Sequence, residues 1–183
     1  MLEIRLHGRG GQGAVTSAEL VAIAAINKGN FAQAFPSFGP ERRGAPVVAF
    51  CRVDDKKINI RAKVYHPDVV IVLDPGLLTL LDPTEGMSDD GILILNTKKA
   101  PEDIDALSGK SVRVATVDAN TIAMEELGRP IVNTTMLGAF IKATGLIEIE
   151  DIQEPLMERF GSKLGSRNMK ALQRAYDEVS LKE

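Results

Sequence analysis

A single cysteine, Cys51, and two histidines, His7 and His66, leave the chain poor in the side chains that build most metal and redox centres. One thiol cannot close an intramolecular disulfide and supplies no ligand set for zinc or an iron–sulfur cluster. Cys51 lies in the apolar run Val47-Val48-Ala49-Phe50-Cys51-Arg52, where a packed core thiol is expected. His66 precedes Pro67, which biases it to extended backbone at a strand entrance, and His7 ends the first apolar run, where backbone hydrogen bonds are its expected partners. Also missing are a G-x-S-x-G nucleophile elbow, a G-x-x-x-x-G-K-[ST] loop and an H-E-x-x-H metal motif. No run approaches the ~20 apolar residues of a membrane span. No basic stretch, apolar stretch and cleavage site open the sequence, so cytoplasm is the expected compartment. A net charge of −3, from 22 Lys and Arg against 25 Asp and Glu, argues against a nucleic-acid partner.

What remains is ordinary in bulk and specific in pattern. With 44% apolar and 26% charged residues, the 183 residues read as one globular domain, 1–183. Leu2 to His7 forms an apolar run, Gly8-Arg9-Gly10-Gly11-Gln12-Gly13 a glycine turn, and about Ala14 to Lys28 an alanine-rich helix stopped by Gly29-Asn30. Strand, glycine turn and helix in that order place backbone N–H groups at a helix N-terminus, the usual setting for a phosphate. Gly8, Gly10 and Gly13 keep the G-x-G-x-x-G spacing. A dinucleotide site also needs a ribose-binding acid about 20 residues on. Phe31-Ala32-Gln33-Ala34-Phe35 occupies that offset, and between Glu19 in the helix and Glu41 there is no acid. An NAD- or FAD-binding oxidoreductase domain is thereby demoted, and a non-enzymatic adaptor with a structural glycine loop stays as a second alternative.

Val47 to Val53 reads as a strand, with Lys57 to Ile60 expected as its hairpin partner across Asp54-Asp55-Lys56. Val69 to Leu73, Ile92 to Leu95 and Val112 to Val117 are strands of a buried parallel sheet, with a short crossover helix over Pro75 to Leu81. Asp118 is expected to cap a helix from Ala119 to Leu127, and Asn133 one that ends at Gly145. Two further helices are expected to start at Pro155 and Ser166. The fold class is α/β: a mostly parallel sheet with helices on both faces, an antiparallel hairpin insert and a helical C-terminus. Asp74 and Asp118 are read as caps, so the chain supplies binding chemistry and no nucleophile.

Between the first helix and the second strand stands Phe35-Pro36-Ser37-Phe38-Gly39-Pro40-Glu41-Arg42-Arg43-Gly44-Ala45-Pro46, a loop shaped by proline and glycine. Glu41 beside Arg42 and Arg43 is expected to fix the arginine forks. Taken with the glycine turn, with Pro67 to Asp74 and with Asn133 to Ala139, this loop resembles the gamma subunit of 2-oxoacid:ferredoxin oxidoreductases, and within that family the pyruvate synthase group.

The resemblance implies a share in a multi-subunit enzyme that converts a 2-oxoacid and coenzyme A to acyl-CoA and CO2 while reducing ferredoxin. Its partners would be alpha, beta and delta subunits, with ferredoxin as the electron acceptor of the complex. Thiamine diphosphate, magnesium and iron–sulfur clusters would lie on those partners, and this chain alone would bind no cofactor. Gly8, Arg9, Gly10, Gly11, Gln12 and Gly13 would contribute to coenzyme A binding, and Phe38, Gly39, Pro40, Glu41, Arg42, Arg43 and Gly44 to the subunit interface. The motifs do not distinguish pyruvate from other oxoacids.

Overall fold

The structure is a computed structural model that describes residues 1–37, 43–104 and 112–182. Among these residues seven strands form one sheet: β1 (Leu2–Arg9), β2 (Phe31–Pro36), β3 (Pro46–Asp54), β4 (Val69–Val72), β5 (Ile92–Asn96), β6 (Arg113–Val117) and β7 (Ser180–Lys182). Their spatial order is β2-β3-β1-β4-β5-β6-β7. The centre, β1-β4-β5-β6, is parallel, while β3 joins β1, β2 joins β3 and β7 joins β6 in antiparallel register. Val69 to Val72 and Ile92 to Asn96 are buried throughout, as strands covered on both faces must be.

The antiparallel hairpin differs from its expected composition. The partner of β3 is β2, in the register Phe35 to Phe50, and Lys57 to Ile60 runs outside the sheet. Phe31-Ala32-Gln33-Ala34-Phe35 hid its strand character because three small or polar residues interrupt the apolar pattern.

Among the described residues, the helical elements α1 (Ala14–Asn27), α2 (Ala119–Leu127), α3 (Asn133–Thr144) and α4 (Ile149–Glu178) share the larger core with Ile4, Leu6, Ile71 and Ile94 on one sheet face. On the other face a 3-10 turn, Pro75–Thr79, sends Leu77 into a smaller core with Val70, Val72, Met87, Leu93 and Leu95. Helical turns thus lie on both faces, in unequal measure. Two arginines fasten irregular chain to this second face. Arg5 donates to the carbonyls of Pro83 and Glu85, at 2.8 and 2.6 Å. Arg52, only 1% exposed, pairs with Glu3 at 2.6 Å and donates to the Lys63 carbonyl. A buried guanidinium is tolerable only when paired in this way.

Alanines at 14, 18, 22, 24 and 25 let α1 lie close to the sheet. Asp118 caps α2 by accepting from the Thr121 N–H, as expected, and Gly145 ends α3 in the left-handed conformation. Asn133 is the first residue of α3 and does not cap it. The expected starts at Pro155 and Ser166 give way to one element that begins at Ile149 behind a Glu148–Asp151 capping box. Gly161, with φ 73° and ψ 165°, breaks that element into two helices, so the real second start precedes Ser166. No helix is long and apolar enough to cross a membrane among the described residues.

Candidate functional site

The glycine turn leaves the carboxyl end of β1, the edge at which open α/β sheets receive ligands. Gly8 is still in the strand, and a Cβ there would stand 3.2 Å from Leu73 and 3.4 Å from Ala14. The chain turns at Gly11 (φ 92°), where the Gln12 N–H reaches back to the Arg9 carbonyl at 2.9 Å. Gly13 (φ 81°) then starts α1 from the left-handed region. Its missing Cβ makes room for Asn133, whose Nδ2 would be 2.6 Å from it, and Ser17 Oγ donates to the Asn133 carbonyl. The starts of α1 and α3 are thereby drawn together.

Neither helix start has a side-chain cap or an acidic residue in its first turn. Uncapped N–H groups and the positive end of the helix dipole, equivalent to roughly half a charge, remain available to an anion there. Asn133 also lines a cavity of about 360 Å³ with Arg129, Ile131, Phe160, Arg167 and Asn168.

Asp74 braces the turn from the end of β4. One of its oxygens accepts from Arg9 Nε at 2.9 Å and Gln12 Nε2 at 3.0 Å, while the other caps the 3-10 turn through the Gly76 N–H. Burial pushes the Asp74 carboxyl up, but the hydrogen bonds from Gln12, Gly76 and Arg9 outweigh it, and the net shift is downward. Gln12 closes the ring, its Oε1 accepting from the Arg9 N–H at 2.7 Å. Arg9 Nη1 donates to the Gly44 carbonyl at 3.2 Å. Both side chains expected to meet a ligand therefore also hold the turn rigid. Asp74 does more than the cap it was expected to be, and nothing in the sequence ties it to residues 62 and 65 positions earlier.

The later loop is strapped to the same turn. The Gly10 N–H donates to the Ala45 carbonyl at 2.8 Å, and the Gly44 N–H to the Gly10 carbonyl at 3.2 Å. Arg43 bridges Gly10 and, like Gly44, is exposed. The other expected interface residues, Phe38, Gly39, Pro40, Glu41 and Arg42, lie outside the described residues. Gly11 is exposed, with nothing within 4 Å of the position its Cβ would take.

His7 is 6% exposed and lies on the sheet face away from α1, between Val48 and Val72. Burial, helped by Arg5, pushes its imidazole down to about 4, so it is neutral at pH 7. Neither ring nitrogen has a partner among the described residues, in contrast to the backbone bonding expected of it. Cys51 is fully buried, and burial pushes its thiol up to about 12, as suits a core residue. Among the described residues no three His, Cys, Asp or Glu side chains converge on a metal position. Two polar residues to which the sequence assigned no role at the site lie at the end of β5 and the start of α3. Asn96 ends β5 and donates to the Leu73 carbonyl, and Thr135 lies in the first turn of α3.

Comparison with known proteins bears on this whole architecture. The model of the pyruvate ferredoxin/flavodoxin oxidoreductase family matches residues 3–178. A relative from Pyrococcus furiosus, the common gamma subunit of pyruvate/ketoisovalerate oxidoreductases, is 52% identical over the full length of both chains. The PorC subunit of pyruvate synthase from Methanothermobacter thermautotrophicus is 51% identical across 98% of this chain and 96% of its own. Among solved structures, the pyruvate oxidoreductase subunit PORC of Thermotoga maritima superposes with a TM-score of 0.87 at 41% identity, covering 100% of this chain and 98% of that one. The chain belongs to the pyruvate ferredoxin/flavodoxin oxidoreductase family and is a gamma subunit, one part of a larger oxidoreductase.

Proposed function

We propose that the glycine turn, Gly8 to Gly13, takes a phosphate of coenzyme A in an assembled complex that converts a 2-oxoacid and coenzyme A to acyl-CoA and CO2 with reduction of ferredoxin. The observation that carries this reading is the meeting of two uncapped helix starts at Gly13, beside a braced turn whose Gly11 faces open space. Backbone N–H groups fixed in place beforehand bind an anion without having to be ordered by it. Arg9 adds positive charge beside them, its position set by Asp74.

The residues present do not fit an iron–sulfur cluster, because the one cysteine is a core thiol. On this reading thiamine diphosphate, magnesium and the clusters belong to the alpha, beta and delta partners, and the exposed root of the loop at Arg43 and Gly44 faces those subunits. The site is open on the side of Gly11, as a site completed by another chain would be. Cytoplasm is the matching compartment. The name of the Pyrococcus relative gives it to two oxidoreductases in common, which supports placing the choice of oxoacid on other subunits.

A dinucleotide reading loses further ground from the topology. In a doubly wound nucleotide fold the ribose acid ends a strand that lies next to the first, whereas β2 here is an edge strand separated from β1 by the antiparallel β3 and carries no acid. The experiment is reconstitution. Purified alone, the chain is expected to oxidise no oxoacid and to show no visible iron–sulfur absorption, and adding it to the partner subunits restores coenzyme A-dependent turnover. Turnover by the lone chain would refute the reading.

A further inference from the structure

We propose that the edge strand β2 is a self-pairing surface, through which two copies of this chain join antiparallel about a two-fold axis at Gln33. Three independent observations converge on it. The strand is the outermost of the sheet and carries no charge over Phe31-Ala32-Gln33-Ala34-Phe35-Pro36. Charged side chains are the usual protection of such an edge, and this one lacks them.

The second observation is the sequence itself. Phe31-Ala32-Gln33-Ala34-Phe35 reads the same in both directions. A two-fold axis through Gln33 sets Phe31 opposite Phe35 of the second copy, Ala32 opposite Ala34, and Gln33 opposite itself. Facing residues in antiparallel strands share a sheet face, so each phenylalanine meets a phenylalanine. Phe31 is 48% exposed in the single chain. A hollow of about 370 Å³ lined by Gln33, Ala34, Phe35 and Arg61 adjoins the same strand and offers room for the incoming ring.

The third observation is the direction of the backbone groups. The Ser37 N–H donates to the Val48 carbonyl, in register with the pairing of Phe35 with Phe50. Because bonding alternates along an antiparallel ladder, Phe35, Gln33 and Phe31 turn their peptide groups inward to β3. Ala34 and Ala32 turn theirs outward. The two-fold at Gln33 pairs those two residues, giving four hydrogen bonds between the copies, and no other centre within the strand combines this bonding with matched side chains. Pro36 has no N–H to offer outward, and the Asn30 N–H is already used by the Ala25 carbonyl, so the pairing stops at both ends. This inference is independent of the coenzyme A reading, since β2 contributes nothing to the glycine turn.

Directly facing residues of a non-hydrogen-bonded pair stand about 4.5 Å apart at Cα, within the range a disulfide spans. The full chain carrying Gln33→Cys, alone and in the assembled complex, is therefore oxidised mildly and run without reductant. A band at about twice the 19.8 kDa of the chain is expected. Phe31→Cys, which faces residue 35 of the second copy and not itself, gives little of it, and the buried Cys51 gives none. Adding Ala34→Pro to Gln33→Cys removes an outward N–H from each copy while leaving the β3 ladder intact, and lowers the cross-link yield at least roughly tenfold. The proposal is overturned if Gln33→Cys, with the unfolding midpoint of the native chain, stays monomeric in both settings, cross-links to a different subunit, or cross-links equally with Ala34→Pro present.

Discussion

Replacing Gly13 with alanine tests whether the glycine turn is held by the close approach of two helices. The perturbation is one methyl group, and the structure gives its consequences separately. An L-residue at φ 81° is in the left-handed region, which costs about 1–2 kcal/mol. The new Cβ would also stand 2.6 Å from Asn133 Nδ2, 2.9 Å from its Cγ and 3.2 Å from its Cβ. Asn133 is 4% exposed and starts a helix, so it has little freedom to retreat, and such overpacking costs about 1–3 kcal/mol. The expected loss is about 3 kcal/mol, measured by urea unfolding of the isolated chain. Asn133→Ala removes the two nearest atoms, and in that background Gly13→Ala should cost only the backbone strain and a slight residual contact. A coupling of at least about 1 kcal/mol between the two sites is therefore expected. If the two changes are additive, the contact does not hold the turn, and the rigidity ascribed to it is wrong.

Other consequences follow from the charges and the core. Asp74→Asn keeps an acceptor for the Gly76 N–H but loses the charge that Arg9 meets, and should destabilise the chain by about 1–2 kcal/mol given the pair's partial exposure. Because the folded-state Asp74 carboxyl is shifted downward, its contribution is complete above the ordinary carboxylate range and disappears as pH falls through the lower folded value. The gap between native chain and Asp74→Asn should therefore close in acid, as followed by unfolding at a series of pH values. Cys51, buried and with its thiol pushed up to about 12, should resist a thiol reagent at pH 7 until the chain is unfolded, and labelling of the native chain at the rate of a free thiol would contradict its place in the core.

The parts of the fold that could be read in advance are those whose signal is local. The run from Leu2 through the glycine turn into α1 carries its own strand, turn and helix chemistry. Val69 to Leu73 and Ile92 to Leu95 are apolar throughout because both their faces are covered. The Asp118 cap and the Gly145 stop depend on residues next to the helix they serve. What failed to show depends on distant partners. Phe31 to Pro36 becomes a strand because β3 pairs with it, and Ser180 to Lys182 because β6 does. Arg52 is buried only because Glu3, Phe35 and the Lys63 carbonyl surround it. In the site, the glycine turn was legible and its brace was not: Asp74 meets Arg9 and Gln12 across more than 60 residues. Asn133 has the residue type of a cap, yet it is spent on the space Gly13 leaves.

The most direct measurement of the central claim is the Michaelis constant for coenzyme A of the assembled complex carrying Gly11→Ala. A methyl group there meets no atom of the chain within 4 Å, so an effect on coenzyme A reports what approaches the turn from outside. The backbone strain at φ 92° is a separate effect of about 1–3 kcal/mol, read from the unfolding midpoint. A methyl group that holds the phosphate off the N–H groups of the turn costs a charge-assisted hydrogen bond, and should raise the constant at least roughly tenfold with the oxoacid constant unchanged. An unaltered coenzyme A constant in a fully assembled complex would mean that the turn shapes the subunit and binds no phosphate.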